Sequence, residues 1–254
     1  MIFGKDAMKR LFGAKVAVFG IGGVGGYVVE ALARSGVGRL DLFDDDKIDL
    51  TNLNRQIHAT RKNIGEYKVD AAMERILEIN PDAIVGAYRL FYSPDNSAQV
   101  DLALYDYVVD AIDTVSGKIE LAVRAYGSGV PIISSMGAGN KVEASSFEVA
   151  DIYATSICPL ARVMRHELRK RGIPGLKVVF SKEPVIRPKG DVLDDCTGDW
   201  PCPPEPEGGL TRPKPIPGSN AFVPPAVGMI IAGEVVKDLI GHESVARYSE
   251  WKAE

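Results

Sequence analysis

The residues best suited to chemistry fall in three groups in the first half of the chain. Gly20-Ile-Gly-Gly-Val-Gly25 carries glycines in the G-x-G-x-x-G spacing. That spacing lets a tight turn leave a strand and brings bare backbone close to a phosphate. The helix N-terminus that follows offers free N–H groups and the positive end of its dipole. Asp44-Asp45-Asp46 is an acid cluster at the end of the next apolar run. An acid in that place meets ribose hydroxyls, which makes Asp44 the expected ribose ligand. Asp110-Ala-Ile-Asp113 sets a carboxylate just past another strand, facing the ligand crevice, so Asp113 is suited to hold Mg²⁺ between phosphates through hard oxygens. Between the last two groups lies the polar stretch from Asp49 to Gln56. Its Arg55 is fit for bidentate phosphate contact, and Lys68 opens the helix after it. The glycine motif alone specifies nothing finer than a nucleotide or dinucleotide.

These residues need a scaffold of alternating strands and helices. Val16 to Phe19 reads as a fully buried strand and Tyr27 to Ser35 as the helix after the glycines. Arg39 to Phe43 completes a βαβ unit. A short helix over Gly4 to Phe12 precedes it. Further on, the pattern predicts helices over Lys68 to Asn80, Asp95 to Leu102 and Ser116 to Ser128, with strands at Ala83 to Leu90, Tyr107 to Val109 and Pro131 to Ser134. Ser135-Met-Gly-Ala-Gly-Asn140 is a second glycine-rich turn at the same sheet edge. After it come strands at Phe147 to Asp151 and Lys177 to Ser181, a basic helix over Pro159 to Arg171, and a closing helix within Asn220 to Leu239. Glu183 to Pro217 is rich in proline and reads as a long irregular loop. The expected fold is α/β: a Rossmann-like, doubly wound, largely parallel sheet with a C-terminal strand-and-helix extension. Residues 1–150 form a nucleotide-binding core and 151–254 the extension, together one compact domain.

Of the 254 residues, 46% are hydrophobic and 25% charged, an ordinary globular composition. Net charge is −4, which excludes a polycation. The sign is uneven, however: residues 161–190 hold nine Lys/Arg against two acids, and this points to an anionic partner at one face. Cys158, Cys196 and Cys202 form no C-x-x-C pair, which predicts a reducing, cytoplasmic setting. The N-terminus has no signal-peptide core. The apolar Ala221 to Ile240 stretch is interrupted by Glu234, Lys237 and Asp238, so no membrane span is expected. Of the three histidines, His58 alone falls near the Arg55 loop.

Taken in order, Gly20–Gly25, the Asp44–Asp46 cluster, Asn52-Leu-Asn-Arg-Gln56, Lys68 and Asp110–Asp113 resemble the ThiF/MoeB superfamily of adenylating enzymes, over roughly residues 8–150. The Asn54–Ala59 stretch, the Gly137-Ala-Gly139 turn and the run from Asp151 to Pro159-Leu160 before a basic helix are similar to its tRNA threonylcarbamoyladenosine dehydratases. The resemblance implies ATP and Mg²⁺ as cofactors and ATP-dependent cyclisation of the threonylcarbamoyl group on a tRNA nucleoside, through an acyl-adenylate. It implies a nucleotide site made of Gly20, Gly22, Gly23, Gly25, Asp44, Asp46, Asn52, Arg55, Gln56, Lys68 and Asp113. Arg55, Lys68 and Asp113 would be catalytic, and Asp113 the metal ligand. Arg162, Arg165, Arg169 and Arg171 would meet tRNA phosphates. A homodimer is implied too, with an N-terminal arginine reaching the partner protomer's ATP site; Arg10 does not match that arginine by position. Where some relatives carry a cysteine before the last helix, this chain reads Pro217-Gly-Ser219-Asn220. Two alternatives stand beside this one. One is adenylation of the C-terminal glycine of a ubiquitin-like sulfur-carrier protein, which would make a sulfur-transfer or carrier protein the partner. The other is an NAD-binding redox sensor or scaffold.

Overall fold

The computed structural model describes residues 2–186 and 218–242. Seven strands form one sheet: β1 (Lys15–Phe19), β2 (Arg39–Phe43), β3 (Ile84–Tyr88), β4 (Tyr107–Asp110), β5 (Ile132–Ser135), β6 (Phe147–Asp151) and β7 (Lys177–Ser181). Their order is β3-β2-β1-β4-β5-β7-β6, and every pairing is parallel except β6 with β7. The residue-150 division falls inside β6, and β7 pairs with β5, so the C-terminal strands extend the same sheet.

Alternation along β1 explains the layering. Val16 and Val18 belong to one core cluster, with Leu11 of α1 (Gly4–Gly13), Val28 and Leu32 of α2 (Gly25–Arg34), and Ile76 of α3 (Lys68–Ile79). Ala17 and Phe19 point into a cluster on the opposite face, with Leu121 and Ala125 of α4 (Val115–Ser128). Amphipathic α5 (Pro159–Lys170) seals a third cluster through Ala161, Met164 and Leu168 against Val178 and Phe180 of β7. The final helix α6 (Val223–Ile240) buries Val227, Ile231 and Val235 beside α2. The two helices approach so closely that a Cβ at Gly228 would lie 2.6 Å from the Val24 carbonyl oxygen. Among the described residues, no helix is long and apolar enough to cross a membrane.

The helix expected over Asp95 to Leu102 is absent. Two single 3₁₀ turns, Ser97–Gln99 and Leu102–Leu104, take its place. Asn96 folds its side chain back onto the Ser93 N–H and the Phe91 carbonyl, and Asp101 caps Ala103, so local side-chain bonds outcompete a continuous helix. Arg10 donates to the Ile240 carbonyl at 2.6 Å and so caps α6. The predicted loop from Glu183 to Pro217 lies outside the described residues beyond Ile186, as do Cys196 and Cys202.

Candidate functional site

β1 and β4 are neighbours from which the chain winds outward in opposite directions, and a cleft of about 760 Å³ opens at their C-terminal ends. That is the switch point at which doubly wound sheets bind ligands. Gly20, Gly22, Gly23, Asp44, Asp46, Asn52, Arg55, Gln56, Lys68 and Asp113 all line it.

The glycines divide by function. Gly20 has φ +86°, and a Cβ there would stand 2.6 Å from the Ala111 carbonyl oxygen. Gly22 faces open space, with only the Gln56 amide at 3.9 Å from such a Cβ. Gly25 does not line the cleft: its Cβ would fall 1.8 Å from the Gly20 oxygen, so its bareness lets α2 pack onto the loop. The stem of Arg55 lies against Gly23, with Cγ and Cδ 3.2 Å from where a Cβ would be. The Arg55 guanidinium donates to the Thr51 carbonyl and the Asn54 side chain, both at 2.9 Å.

Asp44 accepts from the Ile21 N–H at 2.6 Å and the Asp46 N–H at 2.9 Å. Burial raises its pKa above the ordinary carboxylate value, although Lys68 and the two N–H donors oppose that rise. The buried Lys68 reaches Asp46 at 2.5 Å and Asp44 at 3.9 Å, and its backbone N–H bonds the Asp46 carbonyl. The turn after β2 and the start of α3 therefore hold one acid–base cluster at the cleft. Asn52 caps the 3₁₀ turn it ends: its side-chain oxygen accepts from the Asp49 N–H. Asp113 is exposed at the cleft, three residues beyond the end of β4. Phe43 stacks on Phe19 at 4.4 Å and on Tyr88 at 4.7 Å, and with Leu90 and Phe91 it gives the cleft an apolar wall next to Asp44.

Sequence reasoning missed a buried pair beneath this surface. Lys118 of α4 donates to both Asp110 oxygens at 3.1 Å and to the Ser135 carbonyl at 2.8 Å. Asp110 also accepts from Ser134 at 2.5 Å and from the Ile112 N–H at 3.1 Å. Both charged side chains are within 2% of complete burial. The pair ties the β4 end, which carries Asp113, to the β5 end, which carries the second glycine turn. The available signal was Asp110 itself, a carboxylate inside a strand buried on both faces. Such a charge requires a partner.

His58 is buried against α2 near Gly26, and neither ring nitrogen has a hydrogen-bond partner among the described residues. Burial, with Lys68 and Arg75 nearby, lowers its pKa to about 4. It does not line the cleft. On α5, Arg165 bonds Thr155, Arg169 lies over the Tyr153 ring and Arg171 pairs with Glu167, while Arg162 is exposed. Cys158 is buried at the N-cap position of α5.

The family model described as "ThiF family" matches residues 1–253. The chain belongs to the ThiF family. It is 42% identical over 251 residues to the tRNA threonylcarbamoyladenosine dehydratase of Bacillus subtilis, covering 98% of this chain and 96% of that protein. The solved Escherichia coli tRNA N6-threonylcarbamoyladenosine dehydratase, TcdA, in complex with ATP superposes with a TM-score of 0.79 at 31% identity, over 94% of this chain and 91% of that one. An AMP complex of the same protein matches equally well, at 32% identity. The adenylyltransferase and sulfurtransferase uba4 of Aspergillus clavatus is 33% identical over 132 residues, which is 52% of this ThiF-family chain and 27% of that protein.

Proposed function

We propose that this ThiF-family chain is an ATP-dependent tRNA threonylcarbamoyladenosine dehydratase. The observation that carries the reading is the cleft at the β1/β4 switch point. The glycine loop, the carboxylates of Asp44 and Asp113 and the cations Arg55 and Lys68 line it together, in a chain related along nearly its whole length to a dehydratase. ATP as the nucleotide is supported by the ATP and AMP complexes of the Escherichia coli relative.

In this reading the adenosine ribose meets Asp44, the phosphates lie over Gly22 and Gly23, and Arg55 and Lys68 neutralise them. Asp113 offers the carboxylate oxygens that Mg²⁺ prefers, and the ion would supply charge shielding on the phosphates. The carboxylate of the threonylcarbamoyl group attacks the α-phosphorus, and the bond to the bridging β-phosphate oxygen breaks. Pyrophosphate leaves, and an acyl-adenylate remains. Internal attack on the acyl carbon then closes the ring and expels AMP, for a net loss of one water. The protein's share is positioning and cationic stabilisation. Lys68 is paired with Asp46, so a phosphate reaching Lys68 competes with that carboxylate. The exposed Arg162 face of α5 is the proposed contact for tRNA phosphates. A cytoplasmic homodimer completes the reading. The 27% coverage of the sulfurtransferase relative gives no specific support for a carrier-protein partner.

The test is mass spectrometry of nucleosides from tRNA incubated with protein and ATP. The threonylcarbamoyl nucleoside should lose the mass of one water. Arg55→Ala and Asp113→Ala should each abolish that loss while keeping the wild-type circular dichroism spectrum. Normal turnover in either variant would refute the site assignment.

A further inference from the structure

Arg55 lines the cleft with one end of its guanidinium already committed. Nη1 makes both of its contacts, to the Thr51 carbonyl and to the Asn54 side-chain oxygen, each at 2.9 Å. A guanidinium holds its N–H groups in a fixed plane, so engaging both at Nη1 leaves Nε and Nη2, which share the side-on edge. That edge grips carboxylates elsewhere in this chain. Arg75 meets Glu30 through Nε at 2.6 Å and Nη2 at 3.1 Å, and Arg39 meets Asp41 through the same two atoms at 3.2 and 3.1 Å. No carboxylate among the described residues pairs with Arg55, and burial lowers its pKa. Asn54 connects this arrangement to the rest of the fold. Its oxygen faces Arg55, a group that only donates, and its amide nitrogen donates to the Ser219 carbonyl at 3.2 Å. The Ser219 segment is itself fixed. Gly218 bonds Asn140 through both its carbonyl and its N–H, while the Asn220 side chain donates to the Lys141 carbonyl and accepts from the Val223 N–H at the start of α6. A primary amide is suited to such a bridge because it carries an acceptor and donors on one short arm, whereas a carboxylate carries acceptors alone.

We propose that Asn54 is a positioning residue for Arg55. By tying Nη1 to the segment that leads into α6, it leaves the Nε/Nη2 edge as the one that meets a nucleotide phosphate, in a single bidentate orientation. The inference rests on the phosphate role given to Arg55 above and adds the residue that orients it. The stem of Arg55 already rests on Gly23, so the Asn54 bridge holds the far end of the same side chain. An uncharged amide does this without neutralising the cation, which stays available to the phosphate.

The test is calorimetric ATP binding to the full-length protein, with melting temperature measured alongside. Asn54 is exposed, so Asn54→Leu and Asn54→Asp should both melt within about 2 °C of wild type. Asn54→Leu removes both bonds at similar volume and should weaken ATP binding about tenfold, the effect of one lost hydrogen bond to a charged group. Asn54→Asp keeps the shape and the acceptor, loses the donor to Ser219 and sets a carboxylate against Arg55. It should weaken ATP binding more than Asn54→Leu does, because that carboxylate competes with phosphate for the guanidinium. A purely structural role ranks the two the other way, since aspartate is the closer isostere. In an Arg55→Ala background, with no guanidinium left to orient, Asn54→Leu should change ATP affinity by less than about twofold. Wild-type ATP affinity in Asn54→Leu or Asn54→Asp overturns the inference, as does an equal loss with and without Arg55, or a fall in melting temperature with ATP affinity unmoved. Arg55→Ala that binds ATP as tightly as wild type overturns the phosphate role of Arg55 instead.

Discussion

Replacing Lys118 with methionine leaves Asp110 as a carboxylate of zero exposure with its cation gone. Ser134 and the Ile112 N–H still bond it, but neither supplies charge. Breaking one partner out of a buried ion pair costs about 3–5 kcal/mol, a large share of the roughly 5–15 kcal/mol by which a domain is stable. At about 2–4 °C per kcal/mol for a chain of this size, Lys118→Met should melt roughly 6–20 °C below wild type. The double variant Asp110→Asn/Lys118→Met should recover most of that loss, because an asparagine oxygen still accepts from Ser134 and Ile112 and no charge is left buried. Urea denaturation of the four proteins of the cycle measures the coupling directly. If Lys118→Met unfolds within 1 kcal/mol of wild type, the pair is not the bracket described here.

Further outcomes follow from the same geometry. His58 is neutral when folded, with a pKa of about 4, but takes up a proton near pH 6.5 when unfolded. Its contribution is therefore intact above pH 6.5 and is lost as pH falls towards 4, on the order of 3 kcal/mol across that window. Since neither ring nitrogen is bonded to a described residue, His58→Leu should flatten the stability–pH curve there, and an unchanged slope would contradict the assignment. Gly25→Ala and Gly22→Ala separate packing from binding. The first drives a Cβ into the Gly20 carbonyl and should lower the melting temperature sharply. The second should melt as wild type and bind ATP more weakly in calorimetry. The reverse order would exchange the two roles.

Much of the architecture was local enough to read from the chain. Buried β1, helix α2 after the glycines and the acid-ended β2 follow from hydrophobic runs and turn chemistry, which act over a few residues. Ten of the eleven residues expected at the nucleotide line one cleft, because the C-terminal ends of parallel strands lie together by topology. The Asp95 to Leu102 stretch misled, because Asn96 and Asp101 can bond their own backbone and periodicity does not register that competition. Leu77 of α3 is apolar yet stays 39% exposed, since burial depends on what packs opposite. Which basic residues of α5 stay unengaged was equally invisible: Arg165, Arg169 and Arg171 are occupied by Thr155, Tyr153 and Glu167.

The chain by itself determined the order of strands and helices, and with it the side of the sheet on which phosphate-binding and metal-binding residue types collect. Residue type and short-range spacing suffice for that. Only the tertiary structure decided that Gly25 packs against the Gly20 carbonyl outside the cleft lining, and that Lys118 reaches past Asp110 to the Ser135 carbonyl. Each of these depends on distances between atoms brought together by the packing of separate strands, helices and loops, and no local pattern encodes such distances.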